Sequence, residues 1–227
     1  MGEARAAIAV WDLPTRLFHW GLVALVCFCW WSAETHHLAW HKWAGEGVAA
    51  LLVFRLWWGL FGASTARFSQ FLKGPKAALA YAGGLFKPKS DKTESIGHNA
   101  LGGWSVAALI LAAVAVVGFG LFAEDTDGEQ SGPLEPLLNF DQASFAAHVH
   151  ETAFHVLQAL VVLHLAAIAF YALVKKDQLV GPMLTGKKAL PGGTQAMTPG
   201  KLWALAIGLI LAAAAFAALV LQKGSSI

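Results

Sequence analysis

Histidine is the residue of this chain best suited to metal or proton chemistry, and four of its nine histidines fall in one apolar stretch. The stretch runs from Phe145 to Lys176, FAAHVHETAFHVLQALVVLHLAAIAFYALVKK, and is long enough to cross a bilayer. An ionisable side chain inside hydrocarbon is costly, so histidine on a spanning helix marks function. At about 100° per residue, His150 and His164 fall about 40° apart, on one face. A rise of about 1.5 Å per residue separates them by about 21 Å along the axis. His155 lies about 140° from His150, and His148 about 160° from His164, so both leave that face. Two imidazoles on one face, one near each side of a membrane, suit two stacked haems. Each haem takes one axial histidine from this helix and the other from a neighbour.

The rest of the chain must then supply membrane helices. Of its 227 residues 57% are hydrophobic and 13% charged, the profile of an integral membrane protein with one membrane domain. Apolar runs are expected over about Leu13–Ala33, His41–Gly62, Leu101–Phe122, Phe145–Lys176 and Leu202–Leu221. Several of the ten tryptophans sit near the ends of these runs, where amphipathic rings favour the headgroup region. Asp12 and Arg16 open the first run and no clean cleavage site follows, so it reads as a retained span with Pro14 at its start. Cys27 and Cys29 lie two residues apart inside that span and face different directions, which excludes a mutual disulfide. The chain has no C-x-x-C-H for covalent haem attachment.

Charge sets the orientation. The connection over residues 67–97 and the one over 175–201 are basic, whereas the loop from Glu124 to Asp141 is acidic, without lysine or arginine. The positive-inside rule then gives five spans, with the N-terminus cytoplasmic and the C-terminus outside. By depth, His41 pairs with His150 on the outer side, and His19 with His164 on the cytoplasmic side. The result is two bis-histidine b-type haems roughly 20 Å apart, a wire for electrons. With both axial positions filled, such iron suits electron transfer rather than ligand chemistry.

Other polar residues are secondary. Arg16, one turn before His19, and Arg55 are candidates for haem propionates. His98, at the mouth of the third span, is a candidate for a quinone oxygen or a propionate, and Tyr171 and Arg16 are further quinone candidates. Gly45 and Gly47 allow close approach of a helix or macrocycle, and Glu46 is expected at the interface. His36 and His37 belong to a loop, Glu34 to Trp40, too far outside to serve as ligands. The segment FLKGPKAALAYAGGLF reads as a short surface helix ending near Gly83-Gly84, with Pro88 beyond; Pro133 and Pro136 exclude a long helix in the acidic loop. No nucleic-acid signature is present, and the histidines do not converge at one depth as a copper or zinc transporter requires.

Several phrases occur in an order and topology that resemble the prokaryotic cytochrome b561 family. They are VWDLPTRLFHW at Val10–Trp20, His41 with Gly45, the Arg55 region, GHNALGG at Gly97–Gly103, His150 with His164, and YALVKKDQLVGPMLTGKK after the fourth span. The resemblance covers roughly residues 8–190. It implies a four-helix core with two b haems ligated from the first, second and fourth spans, at positions matched by His19, His41, His150 and His164. It also implies electron exchange between the quinone pool and a partner, often a periplasmic cytochrome c or a hydrogenase. GHNALGG carries alanine where many relatives have proline.

The expected fold is therefore an all-α integral membrane protein. Residues 8–190 form a four-helix dihaem domain, and 191–227 a linker and a fifth transmembrane helix whose role is structural or partner-facing. The expected function is transmembrane electron transfer in a bacterial inner membrane. It runs between ubiquinone or menaquinone and a periplasmic redox partner, a cytochrome c-like protein or a redox enzyme, that the acidic loop steers. The alternatives are a superoxide oxidase that reduces quinone, with Lys42 as its outer cation, and the b-type subunit of a hydrogenase-like complex.

Overall fold

The computed structural model describes residues 5–85, 96–124 and 131–222. Lys87, Pro88, Lys89, Asp91, Lys92 and Glu94 of the basic connection lie outside the described residues, as do Asp125, Asp127 and Glu129 of the acidic loop.

Among the described residues five helices are long and apolar enough to cross a membrane: α1 (Leu13–Glu34), α2 (Leu38–Phe61), α5 (Ala100–Gly120), α6 (Phe140–Leu173) and α8 (Leu202–Gln222). Between them lie the short helices α3 (Phe68–Phe71), α4 (Pro75–Gly83) and α7 (Val180–Thr185). Mean hydropathy is 1.3 in α1 and α2 but 2.3 in α5 and 2.7 in α8: α1 carries Arg16 and His19 and α2 carries His41, Lys42, Glu46 and Arg55, whereas α5 and α8 carry no ionisable side chain. The 34-residue α6 is about 51 Å long. It outruns a hydrocarbon core of about 30 Å, and its polar residues crowd its N-terminal half.

The helical spans agree with the sequence reading, with shifted ends. α2 begins at Leu38, so His41 stands one turn inside it and Trp40 is helical, leaving only residues 35–37 as connection. α6 begins five residues before the expected Phe145. The surface segment is helical over α4, with α3 just before it and sharing only Phe71, and among the described residues of the acidic loop Pro133 and Pro136 leave one 3-10 turn, at Glu135–Leu137.

The protein is not purely helical. β1 (Arg5–Ala9) pairs antiparallel with β2 (Lys187–Pro191), Ala7 opposite Ala189. Each strand is five residues long, too short for periodicity to be decisive, and their partners lie far apart in the chain.

The chain packs as two compact units. The first takes described residues of Met1–Leu17, Trp57–Ala108 and Val162–Leu205. Its centre is Val10, Trp11 and Leu190, flanked by Ile8, Ile96 and Met183. Side chain to backbone bonds lock it. Asp12 Oδ1 accepts from the Thr15 N–H at 3.1 Å and so caps α1, while Asp12 Oδ2 accepts from Trp58 Nε1 at 3.0 Å. Thr65 Oγ1 donates to the Val10 carbonyl at 2.8 Å, and both Val10 and Trp11 N–H donate to the Gly186 carbonyl. Gly186 has φ +80°, and a Cβ there would stand 2.7 Å from the Trp11 carbonyl oxygen, so glycine is required twice over. The start of α8 is tied in by Trp57 Nε1, which donates to the Ala204 carbonyl at 2.8 Å.

The second unit takes Phe18–Leu56, Leu109–Val161 and described residues of Ala206–Ile227. Val48, Leu52 and Ala113 form its core, packed by Leu22, Leu25, Val26, Cys29 and Val117, so that α1, α2 and α5 meet there. Gly47 admits Leu25 Cδ1 to 3.1 Å of where its Cβ would be, which is the close helix approach expected of it. Cys27 and Cys29 are both free.

Candidate functional site

Within the second unit the structure brings His41 of α2 and His150 of α6 together. Their ring centroids are 5.9 Å apart and the rings are perpendicular, at 89°. Each ring is held by a backbone carbonyl. His41 Nδ1 donates to the Cys29 carbonyl at 2.9 Å, and His150 Nδ1 to the Val116 carbonyl at 2.7 Å. A carbonyl only accepts, so both Nδ1 atoms carry the proton and the lone pair lies on Nε2 in each neutral ring. Such backbone anchoring of the far nitrogen is what fixes tautomer and ring orientation in metal-binding histidines.

Local sequence explains the anchors. Val116 and Gly120 are four residues apart and share a face of α5. Because Gly120 has no side chain, the His150 ring lies flat against that face and reaches the carbonyl one turn back. A Cβ at Gly120 would stand 2.7 Å from His150 Nδ1. On the other side, Ser32 Oγ also donates to the Cys29 carbonyl at 3.0 Å, and Ser32 is fully buried.

The two histidines line a cavity of about 540 Å³. Val26, Val48, Val116, Val117, Leu157 and Phe154 give it apolar walls, and Gly45 faces it with nothing within 4 Å of where a Cβ would be. Glu34, Lys42, Glu124, Glu151 and Gln158 also line it, and Lys42 Nζ donates to the Ser131 carbonyl at 2.6 Å. Glu46, expected at the interface, is instead 1% exposed and part of this wall. The correction is physical: α2 turns this carboxylate to the cavity wall rather than towards headgroups.

These residues fit a haem. A ring nitrogen binds a metal at about 2 Å, so two imidazoles on one metal place their ring centres about 6 Å apart. Among the described residues no group of three or more His, Cys, Asp or Glu side chains converges as a metal cage. Two imidazoles with an apolar slot between them match a macrocycle that brings its own equatorial nitrogens.

The remaining candidates are placed singly. His19, on α1, packs edge-on against Trp20 with centroids 4.9 Å apart, and His164 is half-buried on α6. They belong to different units. Arg55 is 3% exposed, with its guanidinium 5.9 Å from the centroid of Phe18, rather than extended towards headgroups. Arg16 Nη1 donates to the Leu184 carbonyl at the end of α7. His98 packs against Trp11, with ring centroids 4.7 Å apart, and against Phe71, 5.0 Å apart, both rings tilted by 56°. His148 and His155 are exposed, and His155 Nδ1 donates to the Glu151 carbonyl of its own helix.

Sequence reasoning missed Gly120 and Tyr81. The spacing of Val116 to Gly120 was a usable signal for the first. Tyr81 had only its rarity, as one of two tyrosines in the chain.

A family model described as prokaryotic cytochrome b561 matches residues 10–186, more than half of the chain. No curated protein and no solved structure matches it.

Proposed function

The chain belongs to the prokaryotic cytochrome b561 family, membrane electron-transfer proteins, and from that premise we propose that it carries electrons between quinone and a periplasmic redox protein through two bis-histidine b haems. His41 and His150 hold the outer haem, and His19 and His164 the haem on the cytoplasmic side. The observation that carries this reading is the His41–His150 pair, with both Nδ1 atoms anchored and both lone pairs left on Nε2 beside an apolar cavity. The 14-residue separation of His150 and His164 on one face of a single helix supports the second haem. When bound, the haems supply reversible one-electron chemistry at iron.

The chain's own part is to bind, orient and insulate. The carbonyls of Cys29 and Val116 hold the Nδ1 protons and so aim the Nε2 side of each ring, and the apolar walls would keep water from a bound haem. Arg16 and Arg55 supply cations for haem carboxylates, and His98 is the candidate for a propionate or a quinone oxygen. Residues 8–190 form the haem domain, and 191–227 add a linker and the span α8. The N-terminus is cytoplasmic and the C-terminus periplasmic, in the inner membrane.

Glu34, Glu124 and Glu151 line the outer cavity together with the single cation Lys42. That surplus of negative charge favours a cationic redox protein over anionic superoxide as the partner at this face. The test is haem content and the reduced-minus-oxidised spectrum of the purified protein, with His41→Ala, His150→Ala, His19→Ala and His164→Ala beside it. Two b haems in the parent and one in each variant are expected. One haem or none in the parent overturns the dihaem reading.

A further inference from the structure

In the first unit, the only two tyrosines of the chain meet although ninety residues separate them. Tyr81 of α4 and Tyr171 of α6 have their hydroxyls 2.9 Å apart, and Asn99 Nδ2 donates to the Tyr171 hydroxyl at 2.9 Å. The amide of Asn99 is not free to turn, because its Oδ1 accepts from the Gly102 N–H at 2.7 Å, at the start of α5. A backbone N–H only donates, so Nδ2 must face Tyr171. Counting protons gives the rest. Two phenols carry two O–H donors, and their mutual hydrogen bond uses one. Asn99 can only donate to Tyr171, so it takes up neither. Whichever phenol donates to the other, one O–H is left over, and no acceptor takes it among the described residues.

We propose that the Tyr81–Tyr171 dyad, oriented by Asn99, is the proton donor to a quinone carbonyl oxygen on the cytoplasmic side. This rests on the dihaem, quinone-coupled reading above. Tyr171 follows His164 by seven residues on α6, which puts it within about 20° of the same face and about 10 Å further along the axis. Both phenols are half-buried, while Leu173 and Val174, two and three residues beyond Tyr171, are exposed and apolar, a setting that a lipid-soluble ring can reach. At the same end of α6 the Asp177 N–H donates to the Tyr171 carbonyl and the Asp177 carboxylate pairs with Lys188 at 2.8 Å, so this apolar setting borders a polar one.

The balance is that of quinone reduction. A quinone takes up two electrons, which the haems would supply, and two protons to give the quinol, the oxygen away from the dyad taking its proton from water. The oxygen facing the dyad takes the spare phenol proton, and water re-protonates the resulting phenolate. In quinol oxidation the same groups run in reverse, the phenolate accepting the proton.

The experiment compares the full-length holoprotein with Tyr81→Phe and Tyr171→Phe. Haem spectra report folding. The measured quantities are the electron exchange rate with a short-tailed benzoquinone/quinol couple, the Kd of the same quinone, and the tyrosine C–O bands in the redox infrared difference spectrum. With two tyrosines in the chain, these bands are assignable. Intact haem spectra, an exchange rate lowered about 100-fold in each variant, a Kd within about threefold, and loss of the perturbed tyrosine band are expected. Variants that match the parent in rate, or parent bands that do not move, overturn the dyad alone. A parent with two haems that exchanges no electrons with the quinone overturns the quinone-coupled reading and the dyad with it.

Discussion

The two units solve opposite problems. The second is organised around a space: its histidines, Gly45 and Gly120 are arranged to leave a cavity of about 540 Å³, and its polar atoms are aimed into or around it. The first is organised around contacts, with Asp12 serving both Thr15 and Trp58, Gly186 serving both Val10 and Trp11, and a strand pair closing the chain on itself. The difference teaches where substitutions act. Along the cavity of the second unit they change what can be bound; at the Asp12, Gly186 and strand contacts of the first they change how firmly the chain is folded.

The largest effect that would break this distinction concerns the anchored histidines. His150→Ala or His41→Ala is expected to remove one haem of two while thermal unfolding of the remaining protein stays cooperative, read from haem stoichiometry and calorimetry. Loss of the whole fold in either variant would place the second unit with the first. Next is Gly120→Val, where even a Cβ would lie 2.7 Å from His150 Nδ1. It is expected to lower outer-haem occupancy several-fold, an overpacking cost of about 1–3 kcal/mol, and a normal haem content would show that α5 shifts instead.

Asp12→Ala sharpens the contrast from the other side. It removes a helix cap and the acceptor of Trp58, so a loss of about 1–2 kcal/mol is expected with haem content unchanged. Denaturant titration in detergent measures it. The smallest effect belongs to the cavity mouth. Glu34→Gln with Glu124→Gln is expected to slow electron exchange with a cationic cytochrome c about two- to fivefold, at low salt only, because complementary charge acts mainly on encounter rate. A salt-independent change would assign these residues to the fold rather than to docking.

The chain by itself determined the spans, because about 20 apolar residues in a row have few other stable environments, and it determined that His150 and His164 share a face, because that follows from helical pitch. It also put His41 on the second span, one turn from the true start of α2. Only the tertiary structure decided the tautomers of His41 and His150, since the Cys29 and Val116 carbonyls belong to other helices. The same holds for the burial of Glu46, the need for Gly120, the strand pair and the meeting of Tyr81 with Tyr171. The physical reason is common to them. Periodicity is a local property that a sequence displays directly, whereas a hydrogen-bond partner ninety residues away is chosen by packing.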